Sequence, residues 1–349
     1  MAEDRAIAAR RAARPGPRPL HCKDVEIPGL ELAPNWTSAA GAVEGILVHL
    51  GASLPRHAIM GLSGHAWHTC LGTKGGITAL PSGPVDLDWE AMSRHYARTG
   101  IAWERFGTRL LPGEDWTGRR AAAVEWAIGH LDAGRPLVGW DFHLHEFAIV
   151  YGYDRDLAGF FVHDVLSGEA SPFAAWSDWP STIGQIELFA PAGAIEVDAL
   201  DAAAGALHTA IDCFAGRDGS DDGQPRGTFA LDAWADAFDG DGEVDRAGNA
   251  YTLAVMQAAR MDGADFLADL AAALPPIAAP LRAAEGSIRE EARALAPLIT
   301  LFPFPSGGHG NVANAGLRRG AAMALRRAAN HERVASEAIA AALALFTAD

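Results

Sequence analysis

The chain has 349 residues with a net charge of −16, and 49% of the residues are apolar, which is enough for one large or two ordinary domains with a sizeable core. The negative charge repels nucleic-acid phosphates and anionic lipid, so neither is an expected partner. No apolar stretch approaches the roughly 20 residues of a membrane helix, and no apolar signal core stands at the N-terminus. Three widely spaced cysteines indicate a reducing compartment, and the predicted location is cytoplasmic.

The first predicted helix spans residues 35–51, after an Ala- and Arg-rich arm at residues 1–30. Asn35, Thr37 or Ser38 caps this helix, an apolar face follows, and a glycine ends it. The positive end of the helix dipole favours an anion at such a polar first turn. The first turn is therefore a suitable place for a nucleophile as well as for an ordinary cap.

Several short β-type runs follow in the next part of the chain. Residues 54–71 are interrupted by glycines and predict a loop with a short strand. The next predicted elements are a helix at 88–99, a strand at 103–110, a helix at 117–133, and antiparallel strands at 136–140, 147–153, 159–165 and 184–189.

Alanine and leucine dominate from residue 194 onwards, and every later segment has helical periodicity. The expected helices span 198–214, 228–238, 246–273, 278–298 and 311–346, and Pro297 is expected to bend or end its helix. The predicted fold class is α+β. Its domains are the arm at 1–30, a helix-and-sheet domain at 31–192 and a helical domain at 193–349.

Histidines supply one set of candidate ligands. His65 and His68 share a glycine-bounded loop, whereas His143, His145 and Glu146 stand at the start of a predicted strand. On an extended chain His143 and His145 share a face and Glu146 points to the other, so only part of this set can converge. A metal-dependent lyase or hydrolase that uses His65, His68 and His145 is one alternative, and hydrogen-bonded structural histidines are the other.

Several motifs in this order resemble a known bacterial family. They are WTSAAGAVEGILVHLG at 36–51, GLSGHAW at 61–67, PSGP at 81–84, and GRPLVGW followed by HEFAIVYGYD and FFVHD. Over about residues 30–190 the chain resembles proteins with the N-terminal domain of the butirosin-biosynthesis acyl transferase (BtrH), a branch of the papain-like cysteine peptidase superfamily. The resemblance implies a papain-like domain in which a helix packs on an antiparallel sheet.

The resemblance also implies a site, because a cysteine, a histidine and an acid act together in papain-like enzymes. The cysteine position falls on Ser38, the histidine position on Glu146 with His145 beside it, and the third position on Asp164. The chain thus departs from the catalytic pattern at two of three positions. A β-bulge that turns His145 inward would restore a Ser–His–Asp relay.

The leading hypothesis is a small-molecule enzyme of bacterial secondary metabolism that performs acyl or amide transfer or hydrolysis on an amine-containing substrate. A carrier-protein-bound acyl donor is a candidate partner, and no cofactor or metal is assigned. The second hypothesis is a non-catalytic binding protein that forms a homodimer through its helical domain. The expected catalytic residues are Ser38, His145, Glu146 and Asp164, and the expected substrate contacts are Trp36, His65, Trp67, His68, Trp140 and His143.

Overall fold

The computed structural model describes residues 24–72, 87–109, 115–166, 172–180, 184–218, 223–240 and 244–346. The chain divides into two compact units. Unit 1 comprises Met1–Leu54 and Ile101–Ala194, and unit 2 comprises Pro55–Gly100 and Ile195–Asp349. In the described ranges the fold combines an antiparallel sheet with a mostly helical C-terminal region, as the sequence predicts at this level.

Unit 1 is built on a seven-stranded sheet in the order β2-β7-β3-β4-β5-β6, with β1 paired to β4, and every pairing is antiparallel. The central strands are buried on both faces, which explains their nearly continuous apolar sequences. The strands are β1 (Val25–Glu26), β2 (Ile101–Arg109), β3 (Leu137–Trp140), β4 (Phe147–Asp154), β5 (Gly159–His163), β6 (Phe173–Ala175) and β7 (Gln185–Ala194).

In the described part of unit 1 two helices pack against the sheet: α1 (Ser38–His49) and α4 (Thr117–Asp132). Helix α1 lies against β3 and β4 and buries most of its length. Gly41 and Gly45 let the segment at residues 31–33 pass close to α1. A Cβ added at Gly41 would lie 2.4 Å from the Ala33 carbonyl oxygen, and one added at Gly45 would lie 2.1 Å from the Glu31 carbonyl oxygen. This packing holds the first turn of α1 beside the start of β4.

Unit 2 contains the remaining helices of the described ranges. Asp88, Asp198 and Asp245 cap three of them by accepting hydrogen bonds from backbone N–H groups of the first turn. The helices are α2 (Arg56–Ser63), α3 (Trp89–Tyr96), α5 (Ala199–Phe214), α6 (Thr228–Asp239), α7 (Arg246–Ala273), α8 (Ala278–Leu301) and α9 (Ala315–Phe346).

Three expectations about elements are corrected by the structure. Residues 56–63 form helix α2 rather than a loop with a short strand. The helix ends at Gly64, which adopts a left-handed conformation with φ 93°. Helix α8 continues through Pro297 to Leu301 rather than ending there. The fourth expected strand, β7, extends beyond Pro191 to Ala194 and pairs with β2 along that length.

The division into units also differs from the predicted domain ranges. Residues 55–100 belong to the helical unit, whereas the sequence places them in the helix-and-sheet domain. The PSGP motif at 81–84 and most of the predicted arm lie outside the described residues. No helix in the described ranges combines the length and apolar character that crossing a membrane requires.

Candidate functional site at the head of helix α1

Ser38 is the first residue of α1, and its hydroxyl joins the helix to the start of β4. Its Oγ donates to Glu146 Oε2 at 2.5 Å and accepts from the backbone N–H of Phe147 at 2.9 Å. Ser38 is only 5% exposed. The structure therefore brings together Ser38 and Glu146, the residues at the cysteine and histidine positions of the family pattern.

Residues 141–146 form the loop that joins β3 to β4, and the strand begins at Phe147, where the sequence predicts its start. The loop is closed by a hydrogen bond from the Asp141 N–H to the Glu146 carbonyl. Asp141 is buried and has a left-handed backbone with φ 67°, a conformation in which aspartate is tolerated more readily than most residues. His143, His145 and Glu146 lie in this loop ahead of the strand, so the alternation of an extended chain does not apply to them.

His143 is bonded through both ring nitrogens. Nδ1 lies 2.6 Å from Asp164 Oδ2, and Nε2 lies 3.2 Å from the Phe173 carbonyl oxygen. Both ring nitrogens therefore have partners in the structure. Asp164 also accepts from the backbone N–H of Leu166. The residue at the third family position is therefore joined to His143.

His145 forms a second imidazole–carboxylate pair. Its Nδ1 lies 2.9 Å from Oδ1 of the fully buried Asp141, and its ring is stacked on Trp140 with 6.5 Å between ring centroids. The register shift of β4 lies between Val150 and Gly152, well past this loop. The bulge that would restore a Ser–His–Asp relay is thus not at His145, and Asp141 is a site residue that the sequence analysis missed.

Aromatic side chains flank the polar groups. Trp36 is 44% exposed two residues before α1 begins, whereas Trp140 is buried and its Nε1 has no hydrogen-bond partner among the described residues. Thr37, between Trp36 and the helix, donates its N–H to the Asn35 side chain. Apolar rings beside a small number of polar groups are typical of small-molecule sites.

The Ser38–Glu146 pair has limited catalytic capacity. A serine hydroxyl requires a base to become a nucleophile, and a carboxylate is a weak base for that purpose compared with imidazole. The carboxylate can instead accept hydrogen bonds from a cationic or neutral N–H donor. The geometry is consequently better suited to binding than to proton abstraction.

The other three expected contacts, His65, Trp67 and His68, lie in unit 2. His65 is buried, and its Nε2 lies 2.7 Å from the Tyr96 hydroxyl. Burial, followed by the charges of His68 and His95, lowers the pKa of His65 to about 3. Trp67 is fully buried and packs on Phe214 and Phe266.

His68 forms a side-chain pair with Asp218 in unit 2. The metal alternative with His65, His68 and His145 would draw its ligands from both units, since His145 belongs to unit 1. A different set is gathered within unit 2, namely His68, Cys213 and Asp218. Sequence reasoning missed the last two because nothing in the local pattern links them to His68.

A scan against protein-family models finds no match to the chain, and a search of curated proteins finds none either. The family resemblance and the roles assigned to the site residues therefore remain predictions.

Proposed function

We propose that unit 1 is a papain-like domain that binds an amine-bearing small molecule at the head of α1, without the catalytic relay of the peptidases. The observation that carries the proposal is the direct hydrogen bond from Ser38 Oγ to Glu146 Oε2. It places a carboxylate, and not an imidazole, at the hydroxyl that would have to be activated. A carboxylate in that place is an acceptor for an ammonium or amine N–H.

The surroundings support a cationic ligand. Glu146 supplies a carboxylate at the start of β4, whereas the carboxylates of Asp141 and Asp164 are paired with His145 and His143, and the net charge of −16 attracts cations to the protein as a whole. Trp36 and Trp140 add aromatic rings, on which ammonium groups and their apolar substituents bind favourably. The ligand class is therefore a small amine that carries an apolar or ring substituent.

The location of binding can be tested by nuclear magnetic resonance. We expect benzylamine to shift the indole N–H signals of Trp36 and Trp140, assigned through Trp36→Phe and Trp140→Phe, in the full-length protein. Glu146→Gln should weaken binding about tenfold, since a hydrogen bond to a charged group contributes about 1.5–3 kcal/mol. Glu125→Gln removes an exposed carboxylate of the same unit and should leave the shifts unchanged. Shifts confined to other tryptophans would refute this location.

Acyl transfer is a second candidate, because the Asp141–His145 pair stands next to Glu146 in the chain. Such a pair supplies the base and the orienting acid of a relay. The reaction would form an ester between the acyl group and Ser38 Oγ. His145 would take the hydroxyl proton, and the bond to the donor's leaving group would break and release that group. Intact-mass measurement with a p-nitrophenyl ester should then show an adduct that disappears in Ser38→Ala. A mass unchanged over repeated incubations would exclude this candidate.

A further inference from the structure

A buried cluster of three side chains in unit 2 combines nitrogen, sulfur and oxygen donors. One ring nitrogen of His68, Sγ of Cys213 and a carboxylate oxygen of Asp218 all lie within 4.8 Å of one another. His68 follows the turn after α2, Cys213 is in the last turn of α5, and Asp218 lies just beyond that helix. The cluster therefore links segments about 150 residues apart.

Burial makes this cluster unusual. The side chains of His68 and Asp218 are 2% and 8% exposed, and Cys213 is 3% exposed. His68 Nε2 and Asp218 Oδ1 have no hydrogen-bond partner among the described residues. Buried polar atoms are nearly always satisfied, since leaving one unpaired costs about 1–3 kcal/mol. His68 contacts Asp218 through Nδ1, so its unpaired Nε2 faces away from that carboxylate, and Asp218 Oδ1 is the unpaired atom next to the other donors. A buried carboxylate oxygen without a partner among the described residues, beside an imidazole and a thiol, points to a ligand.

The donor set selects the ligand. Imidazole nitrogen, thiolate sulfur and carboxylate oxygen are the three ligand types of protein-bound Zn²⁺, and Co²⁺ takes the same positions. A thiolate and a carboxylate together carry two negative charges, which one divalent ion balances inside the protein. Calcium and magnesium are disfavoured because they prefer sites made of oxygen ligands.

We propose that His68, Cys213 and Asp218 form a site for a divalent transition metal, with Zn²⁺ as the ion that this donor set fits best. The bound ion ties the segment after α2 to the C-terminal end of α5. The site rests on none of the contacts of the proposed amine site, because all three ligands belong to unit 2.

The test uses the full chain, stripped with a chelator and then titrated with Co²⁺. We expect about one equivalent to bind with a thiolate-to-cobalt charge-transfer absorption in the near ultraviolet. Asp218→Asn and Cys213→Ser should each weaken binding by more than about 100-fold, beyond the 10- to 100-fold typical of losing a residue that only orients a ligand. Cys70→Ser is the matched control, since Cys70 is also a buried cysteine outside any disulfide, and it should preserve the absorption.

The wild-type spectrum requires no variant, so a variant that fails to fold does not obscure the outcome. Substoichiometric binding, or a cobalt spectrum without the thiolate band, would overturn the proposal. An unchanged affinity in folded Cys213→Ser, checked by circular dichroism, would do the same. Elemental analysis of protein purified without chelator should independently find zinc at about one equivalent.

Discussion

Glu146 determines which chemistry is open to Ser38, because its carboxylate accepts a hydrogen bond from the hydroxyl, with 2.5 Å between Oγ and Oε2. The resemblance drawn from the sequence implies an imidazole at this position, and the neighbouring His145 is bonded to Asp141 instead. A carboxylate beside a nucleophile opposes the formation of a second negative charge there. At the scale of single residues, the carboxylate at position 146 therefore limits Ser38 as a nucleophile.

A thiol introduced at position 38 reports this effect directly. We expect Ser38→Cys to react slowly with iodoacetamide, since the Glu146 carboxylate raises the thiol pKa. Adding Glu146→Gln should speed alkylation about tenfold, and adding Glu146→His should speed it further by stabilising the thiolate. The wild-type chain supplies the background from its own cysteines. Equal rates in all three variants would mean that residue 146 does not act on this position.

The acid sensitivity of the protein should depend on His65. Its pKa falls from 6.5 to about 3, chiefly because the ring is buried, so the unfolded chain binds the proton more tightly. The contribution of His65 to the free energy of unfolding is therefore fully present above pH 6.5 and decreases as the pH falls from 6.5 towards 3. Between pH 7 and pH 5 the loss from this one ring is about 2 kcal/mol.

Urea unfolding at these two pH values measures that loss. His65→Gln should reduce the difference between pH 7 and pH 5 by about 2 kcal/mol, because glutamine does not titrate. His208→Gln removes an exposed histidine of the same unit and should leave the difference as it is in the wild type. A pH dependence identical in His65→Gln and the wild type would show that His65 takes up its proton equally in both states.

Helix α1 positions the site at the next scale, and its glycines are essential to the packing. An added Cβ at Gly45 would lie 2.1 Å from the Glu31 carbonyl oxygen and 2.8 Å from Ile149 Cδ1, so the backbone would have to move. Gly45→Ala should therefore destabilise the protein by about 1–3 kcal/mol, the usual cost of overpacking. Denaturant unfolding measures this change.

Gly129→Ala is the control within the same unit, because nothing lies within 4 Å of a Cβ added there in helix α4. It should be neutral or stabilise the protein by up to about 1 kcal/mol, since alanine favours the helix more than glycine does. If Gly45→Ala were as stable as Gly129→Ala, the close approach of residues 31–33 to α1 would not hold.

Helices whose ends are marked by nearby residues could be predicted from the sequence, and helices that depend on distant contacts could not. Helices α5 and α7 begin one residue after capping aspartates, Asp198 and Asp245, and their starts follow from that chemistry. Helix α2 was missed because Gly61 and Gly64 resemble loop residues. Gly61 instead accommodates the ring of Phe266, whose nearest atom would lie 2.2 Å from an added Cβ. Such a contact across the fold has no signature in the local sequence.

The contacts of the candidate site could not be predicted from local sequence either. The Ser38–Glu146 contact was reachable only through the family resemblance, which aligns residues 108 positions apart. Asp141 carried no signal, because its role depends on the loop conformation that brings it to His145. Cys213 and Asp218 were likewise invisible beside His68, since only the packing of unit 2 gathers them.

At the largest scale, a buried arginine unites much of unit 2. Arg260 is fully buried and donates to Glu291, Glu332, Thr69 Oγ1 and the Ala66 carbonyl, so it joins α7, α8, α9 and the segment after α2. Burial raises the pKa of Glu291 well above its usual value despite the adjacent Arg260.

Removing this arginine should be far more costly than removing an exposed one. We expect Arg260→Met to lose about 3–5 kcal/mol in denaturant unfolding, because it leaves buried acids without their partner. Arg289→Met breaks partly exposed pairs with Glu285 and Asp265 and should cost less than about 1 kcal/mol. Adding Glu291→Gln and Glu332→Gln to Arg260→Met should restore part of the loss. If these substitutions restored none of the lost stability, the loss in Arg260→Met would come from packing and not from the unpaired acids.

The central claim is that the carboxylate beside Ser38 anchors an amine, and the ratio of two affinities tests it most directly. Benzylamine and benzyl alcohol are titrated into the full-length protein, as wild type and as Glu146→Gln. We predict that the wild type prefers the amine by about tenfold or more and that this preference falls towards unity in Glu146→Gln, since only the charged partner is lost. A preference of equal size in both proteins, or none in the wild type, would contradict the account.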